Sequence, residues 1–133
     1  MKKKGFTLVE ILITTFLGVT ALGVILNSLI STAYLLDISQ EEEIASYHLT
    51  NLAERILATP LDYVTDRFPP GVEDGPSDNP YADIVGGYSL NNEHITVTYP
   101  NPDAEPLELK ITLSWQDRKG RTHTRSLSTF KSR

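Results

Sequence analysis

The sequence Lys2-Lys3-Lys4-Gly5-Phe6-Thr7-Leu8-Val9-Glu10 opens the chain, and a long apolar run follows it. The 26 residues from Ile11 to Leu36 include no charged side chain. A helix of that length reaches about 39 Å, enough to cross the ~30 Å hydrocarbon core of a membrane with some tilt. Lysines flanking a span favour the cytoplasmic side. These residues therefore predict one transmembrane helix, with the remaining chain on the opposite side of the membrane.

Glu10 is the exception to this apolar pattern, because it places a carboxylate at one end of the predicted span. A charged side chain at membrane depth costs about 2.5–3.5 kcal/mol on insertion scales, so such a residue is by default a functional candidate. The alternative is that Glu10 only extends to the lipid headgroups from the end of the helix. The residues around Glu10 favour a functional role.

Gly5-Phe6-Thr7-Leu8-Val9-Glu10, followed by an unbroken apolar helix, resembles the prepilin cleavage motif of type IV pilins and type II secretion pseudopilins. The resemblance implies that prepilin peptidase cuts after Gly5, removes the leader 1–5 and methylates the new amine of Phe6. It also implies that Glu10 attracts the N-terminal amine of a neighbouring subunit during assembly. Such a pair would relieve two charges that are each costly in lipid.

The small size and the absence of cysteines are similar to those of a minor pilin or minor pseudopilin. The resemblance then implies a subunit that primes or caps a filament. Its expected partners are prepilin peptidase, other pilin or pseudopilin subunits, the inner-membrane assembly platform and the lipid bilayer. Before assembly it would sit in a bacterial inner membrane with its N-terminus cytoplasmic and its C-terminal domain periplasmic, and it would then enter a pilus or pseudopilus.

Several alternatives remain. Within the class, the chain resembles a type II secretion pseudopilin or a DNA-uptake pilin. From a different class, it would be a single-pass anchored binding domain that does not polymerise. A third reading is a secretory signal cut after Ser31-Thr32-Ala33, but the 25 apolar residues 6–30 exceed the usual signal core of about 7–15 residues.

The helical pattern continues past the span and predicts one helix from Phe6 to about residue 59. Pro60 ends it, because the residue before a proline disfavours helical angles. Five apolar residues recur at spacings of 7, 4, 3 and 4, which is the pattern of one helix face: Ile38, Ala45, Leu49, Leu52 and Ile56. The helix thus has a transmembrane half, 6–36, and an amphipathic half that belongs to a predicted periplasmic domain, 37–133.

Strands are predicted in the region 93–130. Leu107 to Trp115 alternates apolar and polar residues throughout and predicts the central strand. Asp117 to Gly120 predicts a type I turn with glycine at the left-handed position. This hairpin places Ile111 opposite Leu127 and Leu113 opposite Arg125. The predicted fold is α+β, with the long N-terminal helix packed on a small antiparallel sheet, as in pilins.

The region 60–92 is rich in turn residues and predicts a loop that contains a short helix or strand. Tyr63, Val64 and Phe68 are expected to cover the long helix. Asp74, Asp78 and Asp83 raise the question of calcium, which takes oxygen ligands. No twelve-residue calcium-loop pattern is present, and acidic turns are usually solvated, so solvation is the preferred interpretation.

Charge is distributed unevenly along the predicted outer domain. Residues 37–108 hold fifteen acids and two bases, whereas residues 110–133 hold seven bases and one acid. The preferred interpretation is that these charges neutralise each other within one domain or between packed subunits. The alternative is a basic patch at Lys119, Arg121 and Arg125 for DNA or anionic lipid, with DNA the less favoured partner.

No catalytic constellation emerges from the sequence. His48, His94 and His123 lack ligand partners at metal spacing, and there is no cysteine. Each histidine is expected to be a surface or interface residue. The sequence predicts neither enzymatic activity nor a cofactor, and it predicts that the chain is itself a substrate for processing.

Overall fold

The computed structural model describes residues 7–78, 81 and 90–132. It has an α+β arrangement in which a long N-terminal helix packs with a small three-stranded antiparallel sheet. The elements are α1 (Leu8–Ala58), α2 (Leu61–Arg67), β1 (His94–Thr98), β2 (Leu107–Gln116) and β3 (Thr122–Lys131). The chain divides into two compact units, Met1–Ile38 and Ser39–Arg133, and the boundary falls within α1.

In the first unit, α1 is continuous through Gly18, Gly23 and Asn27. By length and composition this helix could cross a membrane. Each of its threonines after residue 10 donates its hydroxyl hydrogen bond to a carbonyl three or four residues earlier, as Thr15 does to Ile11 at 2.7 Å. Those hydroxyls are therefore satisfied within the helix, which suits them to an environment without water.

In the second unit, α1 contributes one face to the core. Four residues of the predicted stripe, Ala45, Leu49, Leu52 and Ile56, are buried there. The fifth, Ile38, is half-buried and belongs to the first unit. The helix ends at Ala58, and Pro60, with an extended ψ of 143°, is the N-cap residue before α2. The proline thus acts as the predicted stop.

The sheet has the order β1-β2-β3, with both pairs antiparallel, so the prediction that Leu107–Trp115 forms the central strand is confirmed. The register is also as predicted, with Ile111 opposite Leu127 and Leu113 opposite Arg125. Gly120 has a φ of 74°, the left-handed value that the turn requires. Every second residue of β2 points into the core, which explains its alternating sequence.

The predicted loop contains a helix, α2, which covers the core with Val64 and is followed by the buried Phe68. The expectation for Tyr63 was wrong, since its side chain is 63% exposed. Residues 63 and 64 are neighbours on a helix, about 100° apart around its axis, so only one of them faces the core. The stacked rings of Phe68 and Tyr81 fill that part of the core instead.

His48 was expected at a surface or interface, and this expectation was wrong. Its side chain is 3% exposed, and its Nδ1 lies 2.6 Å from Oε1 of Glu93. The other carboxylate oxygen of Glu93 accepts a 2.7 Å hydrogen bond from the backbone N–H of Leu90. The carboxylate therefore allows a polar ring at position 48 to be buried, because it supplies a partner in the core. A partner 45 residues away leaves no pattern in the sequence.

Candidate functional site

The start of α1 determines how Glu10 is held. The backbone N–H of Glu10 donates to the carbonyl of Thr7 at 3.0 Å and to its Oγ1 at 3.3 Å. A threonine cap followed three residues later by glutamate is the sequence of a capping box. The sequence analysis did not predict this cap, although the pattern Thr7-x-x-Glu10 is present. The helix dipole also favours a carboxylate in the first turn. Glu10 therefore has a structural role available in addition to any role in assembly.

The side chain of Glu10 is exposed, and the large apolar side chains that follow it are exposed as well. From Leu8 to Leu36, Glu10 is the sole charged residue. This surface can bind lipid or other apolar helices, and its one charge sits at the end of the helix where the dipole stabilises it. The predicted cleavage and methylation positions, Gly5 and Phe6, lie outside the described residues, as does the leader 1–5.

The hairpin turn is organised by Asp117, whose side chain is 2% exposed. One carboxylate oxygen accepts backbone hydrogen bonds from Lys119 and Arg121, and the other lies 2.9 Å from Nε of Arg121 and 3.3 Å from Nε2 of His123. Burial acts to raise the pKa of Asp117, but the hydrogen bonds from Arg121, His123 and Lys119 outweigh it, so the pKa is lowered. Asp117 thus stays ionised and fixes the turn.

The predicted basic-patch residues Arg125 and Arg121 contact acids of the same unit. Arg125 donates to Glu42 at 2.6 Å, and Arg121 donates to Asp117. Lys119 takes part in the same turn through its backbone. These contacts favour the interpretation that the basic and acidic regions neutralise each other within the domain.

Among the three proposed calcium ligands, Asp74 is engaged by its own neighbours. Asp74 uses one carboxylate oxygen to accept the backbone N–H of Ile95 at 2.8 Å, and the other lies 2.9 Å from Nδ1 of His94. Asp78 is exposed, and Asp83 lies outside the described residues. Over residues 7–78, 81 and 90–132, no group of three acids or histidines could hold a metal ion. Asp74 instead anchors the edge of the sheet.

The contact between His94 and Asp74 predicts a pH dependence. The hydrogen bond to Asp74, assisted by the charge of Glu73 3.0 Å away, raises the pKa of His94 above 6.5. A raised pKa means that the folded state holds the proton more tightly than the unfolded state, so the contact stabilises fully below pH 6.5. This contribution is lost as the pH rises through the higher folded-state pKa.

We therefore expect the wild type to have a higher urea midpoint than a His94→Asn variant at pH 5.5. This difference between the two proteins should be smaller at pH 8.5. The contribution of this contact to the free energy of unfolding should stay below about 1 kcal/mol, because the pair is solvent-exposed. An equal difference at both pH values would contradict this assignment.

A cleft of about 390 Å³ lies between α2 and the loop that precedes β2. Its lining includes Asp62, Asp103, Glu105 and Lys131. The ammonium group of Lys131 donates to the backbone carbonyl of Leu57. The described lining includes no serine, cysteine or histidine.

Comparison with known proteins adds no assignment, since the chain matches no family model, no curated protein and no solved structure.

Proposed function

We propose that this chain is a minor structural subunit of a type IV pilus-like filament, processed by prepilin peptidase after Gly5 and assembled through its N-terminal helix. One observation carries the proposal: an apolar helix exposes its large side chains from Leu8 to Leu36 and bears one charge, Glu10, in its first turn. In this role the chain primes or caps the filament.

In the part of the chain that the structure describes, the core cluster and the side chains packed against it include no residue before Ile44. The apolar surface that precedes it therefore needs another environment. A bilayer before assembly and the helices of neighbouring subunits after assembly would each supply one.

In the proposed filament, Glu10 pairs with the N-terminal amine of another subunit. Cleavage after Gly5 would leave a cationic amine on Phe6, and this amine of one subunit would meet the Glu10 carboxylate of another. Each charge is costly in lipid, and the pair is attractive at low dielectric, so docking relieves both costs at once. Assembly is thereby favoured only between processed subunits.

A second candidate is a membrane-anchored binding domain that does not polymerise. The cap formed by Thr7 favours it, because a capping role would explain Glu10 without any neighbouring subunit. A type II secretion pseudopilin or DNA-uptake pilin would share the same processing. The engagement of Arg125 by Glu42 argues against direct DNA binding through that residue.

The experiment that tests the proposal is the identification of the mature N-terminus, by mass spectrometry of the chain isolated from membranes. We expect the chain to begin at N-methylated Phe6. A Gly5→Leu variant provides the control, since it should retain the leader. A start at Tyr34 would identify a secretory signal, and a wild-type chain that keeps Met1 would identify a plain anchor. Either result would contradict the filament proposal.

A further inference from the structure

Two arginines stand out from the charge pattern of the second unit. Arg55 lies in the last turn of α1, and Arg67 lies in the last turn of α2. They are the two bases among residues 37–108, a stretch that holds fifteen acids. Both side chains line the same cleft, which has a volume of about 250 Å³. The fold thus brings together the two bases of an acid-rich part of the chain.

The remaining walls of this cleft are well fixed. They are Ala58, Thr59 and Phe68. Phe68 is 1% exposed, and the hydroxyl of Thr59 donates to the backbone carbonyl of Arg55 at 2.9 Å. Pockets for drug-sized ligands usually measure about 300–1,000 Å³, so this cleft suits a group of few atoms rather than a large molecule.

Neither guanidinium group has a partner in the part of the chain that the structure describes. No ion pair or side-chain hydrogen bond there involves Arg55 or Arg67, whereas Arg121 and Arg125 each contact an acid. Helical spacing explains the difference, because neither Arg55 nor Arg67 has an acid three or four residues away on its own helix. The cleft therefore presents two permanently charged groups, each with five N–H donors, to the solvent.

The helix dipoles supply a local reason for each arginine, since a cation in the last turn of a helix is favoured. This effect acts on each helix end separately. Two cations that line one cleft repel each other, and an anion bound between them would offset that repulsion. Guanidinium groups bind the oxygens of carboxylates and phosphates through paired N–H bonds. The chemistry of the cleft therefore favours an oxyanion.

We infer that the cleft lined by Arg55 and Arg67 binds an oxyanion, a phosphate or a carboxylate, which bridges the ends of α1 and α2. The inference is independent of the proposed function. Because the two arginines come from different helices, the site exists only in the folded unit, and a bound anion stabilises that unit by mass action. The same chemistry has two sources: a free anion, or a carboxylate of another copy of the chain.

The test is a titration of the full chain with inorganic phosphate at pH 7, followed by NMR. A non-ionic detergent is used so that the micelle supplies no phosphate, and chloride keeps the ionic strength constant. We expect saturable shifts of the Nε–H signals of Arg55 and Arg67 and of the backbone amide of Phe68. Half-saturation should fall at roughly 1–10 mM, because two charge-assisted contacts supply about that affinity. Shifts that remain linear up to about 100 mM phosphate would overturn the site.

A conservative variant separates anion binding from the effect of the helix dipole. Arg67→Lys keeps a cation at the end of α2 but lacks the planar fork of the guanidinium group. We expect its urea midpoint in chloride to equal that of the wild type, while its affinity for phosphate falls at least severalfold. Wild-type affinity in Arg67→Lys would overturn the paired N–H contacts.

Removal of each charge gives the larger effect. Arg55→Gln and Arg67→Gln should each weaken phosphate binding about tenfold or more. Lys110→Gln is the matched control, because it removes the same charge from an exposed position of β2 outside the cleft and should bind phosphate as the wild type does. Folding of all three is checked by the urea midpoint in chloride. Equal affinity in the three variants would overturn the assignment of the site to these arginines.

Stability provides a second readout of the same site. Phosphate strengthens apolar burial in proteins generally, so part of any rise in the urea midpoint is not specific. We expect the rise from chloride to phosphate at equal ionic strength to be larger for the wild type and Lys110→Gln than for Arg55→Gln. An equal rise in all three would overturn the stabilising role of the anion.

Dilution of the wild-type chain in chloride distinguishes the two sources of the oxyanion. If a carboxylate of another copy occupies the cleft, the Nε–H signals of Arg55 and Arg67 will change with protein concentration, and phosphate will abolish that change. If these signals are independent of protein concentration, the site belongs to a free anion. Either result, together with the saturable response to phosphate, supports the site.

Discussion

Replacing Glu10 with glutamine is expected to reduce incorporation of the chain into filaments at least tenfold. In the proposed assembly, the carboxylate neutralises the amine of a neighbouring subunit inside an apolar environment. Glutamine cannot do so and leaves that amine unpaired. A charge at membrane depth costs about 2.5–3.5 kcal/mol, and about 1.4 kcal/mol already corresponds to a tenfold change. The measurement is the ratio of the chain in sheared filaments to the chain in membranes.

Glutamine separates the two roles that the structure allows for Glu10. In a capping box, glutamine at the third helical position serves as well as glutamate, so a role in capping alone predicts normal assembly of Glu10→Gln. Thr7→Ala makes the opposite change, because it removes the Oγ1 contact and keeps the carboxylate. Near-normal assembly of Thr7→Ala together with failure of Glu10→Gln would support charge pairing. Normal assembly of Glu10→Gln would contradict the charge-pairing role and leave Glu10 with a role in capping alone.

Much of the fold could be predicted because its signals are local. The spacing of Ala45, Leu49, Leu52 and Ile56 is set by the helical repeat, and the turn at Gly120 fixes the register of the whole hairpin. One glycine in the left-handed region thus determines ten cross-strand pairs. Such features require no knowledge of distant residues.

The error for His48 and the unpredicted contacts of Asp74, Glu41 and Glu42 arose where the structure depends on distant residues. His48 is buried because Glu93 lies beside it, and Asp74 is committed to β1 by residues about twenty positions later. Glu41 and Glu42 lie off the apolar stripe, yet they contact Trp115 and Arg125. Sequence spacing gives the direction of a side chain on its own element, but not the partner that the tertiary fold brings to it.

The candidate site was predictable in part. The sequence identified Glu10 as the charge that needs an explanation, and the structure places it in the first turn of α1. The cap by Thr7 was not predicted, although Thr7-x-x-Glu10 is the sequence of a capping box.

The second large effect concerns the stability of the outer unit. Leu52 is fully buried on the sheet-facing side of α1, so Leu52→Ala removes apolar contacts and leaves a cavity between the helix and the sheet. We expect a loss of about 2–5 kcal/mol in the free energy of unfolding. That is a large share of the total for a small domain, which is about 5–15 kcal/mol.

Leu57 provides the matched control, because it lies on the same helix and its side chain is 40% exposed. Leu57→Ala should cost less than about 1 kcal/mol. The chain has one tryptophan, Trp115, and its side chain is 1% exposed in the core of the same unit. Its fluorescence during urea unfolding in detergent micelles therefore reports on this unit and not on the apolar half of α1. Similar losses for both variants would contradict the assignment of the Leu52 face as the one that packs on the sheet.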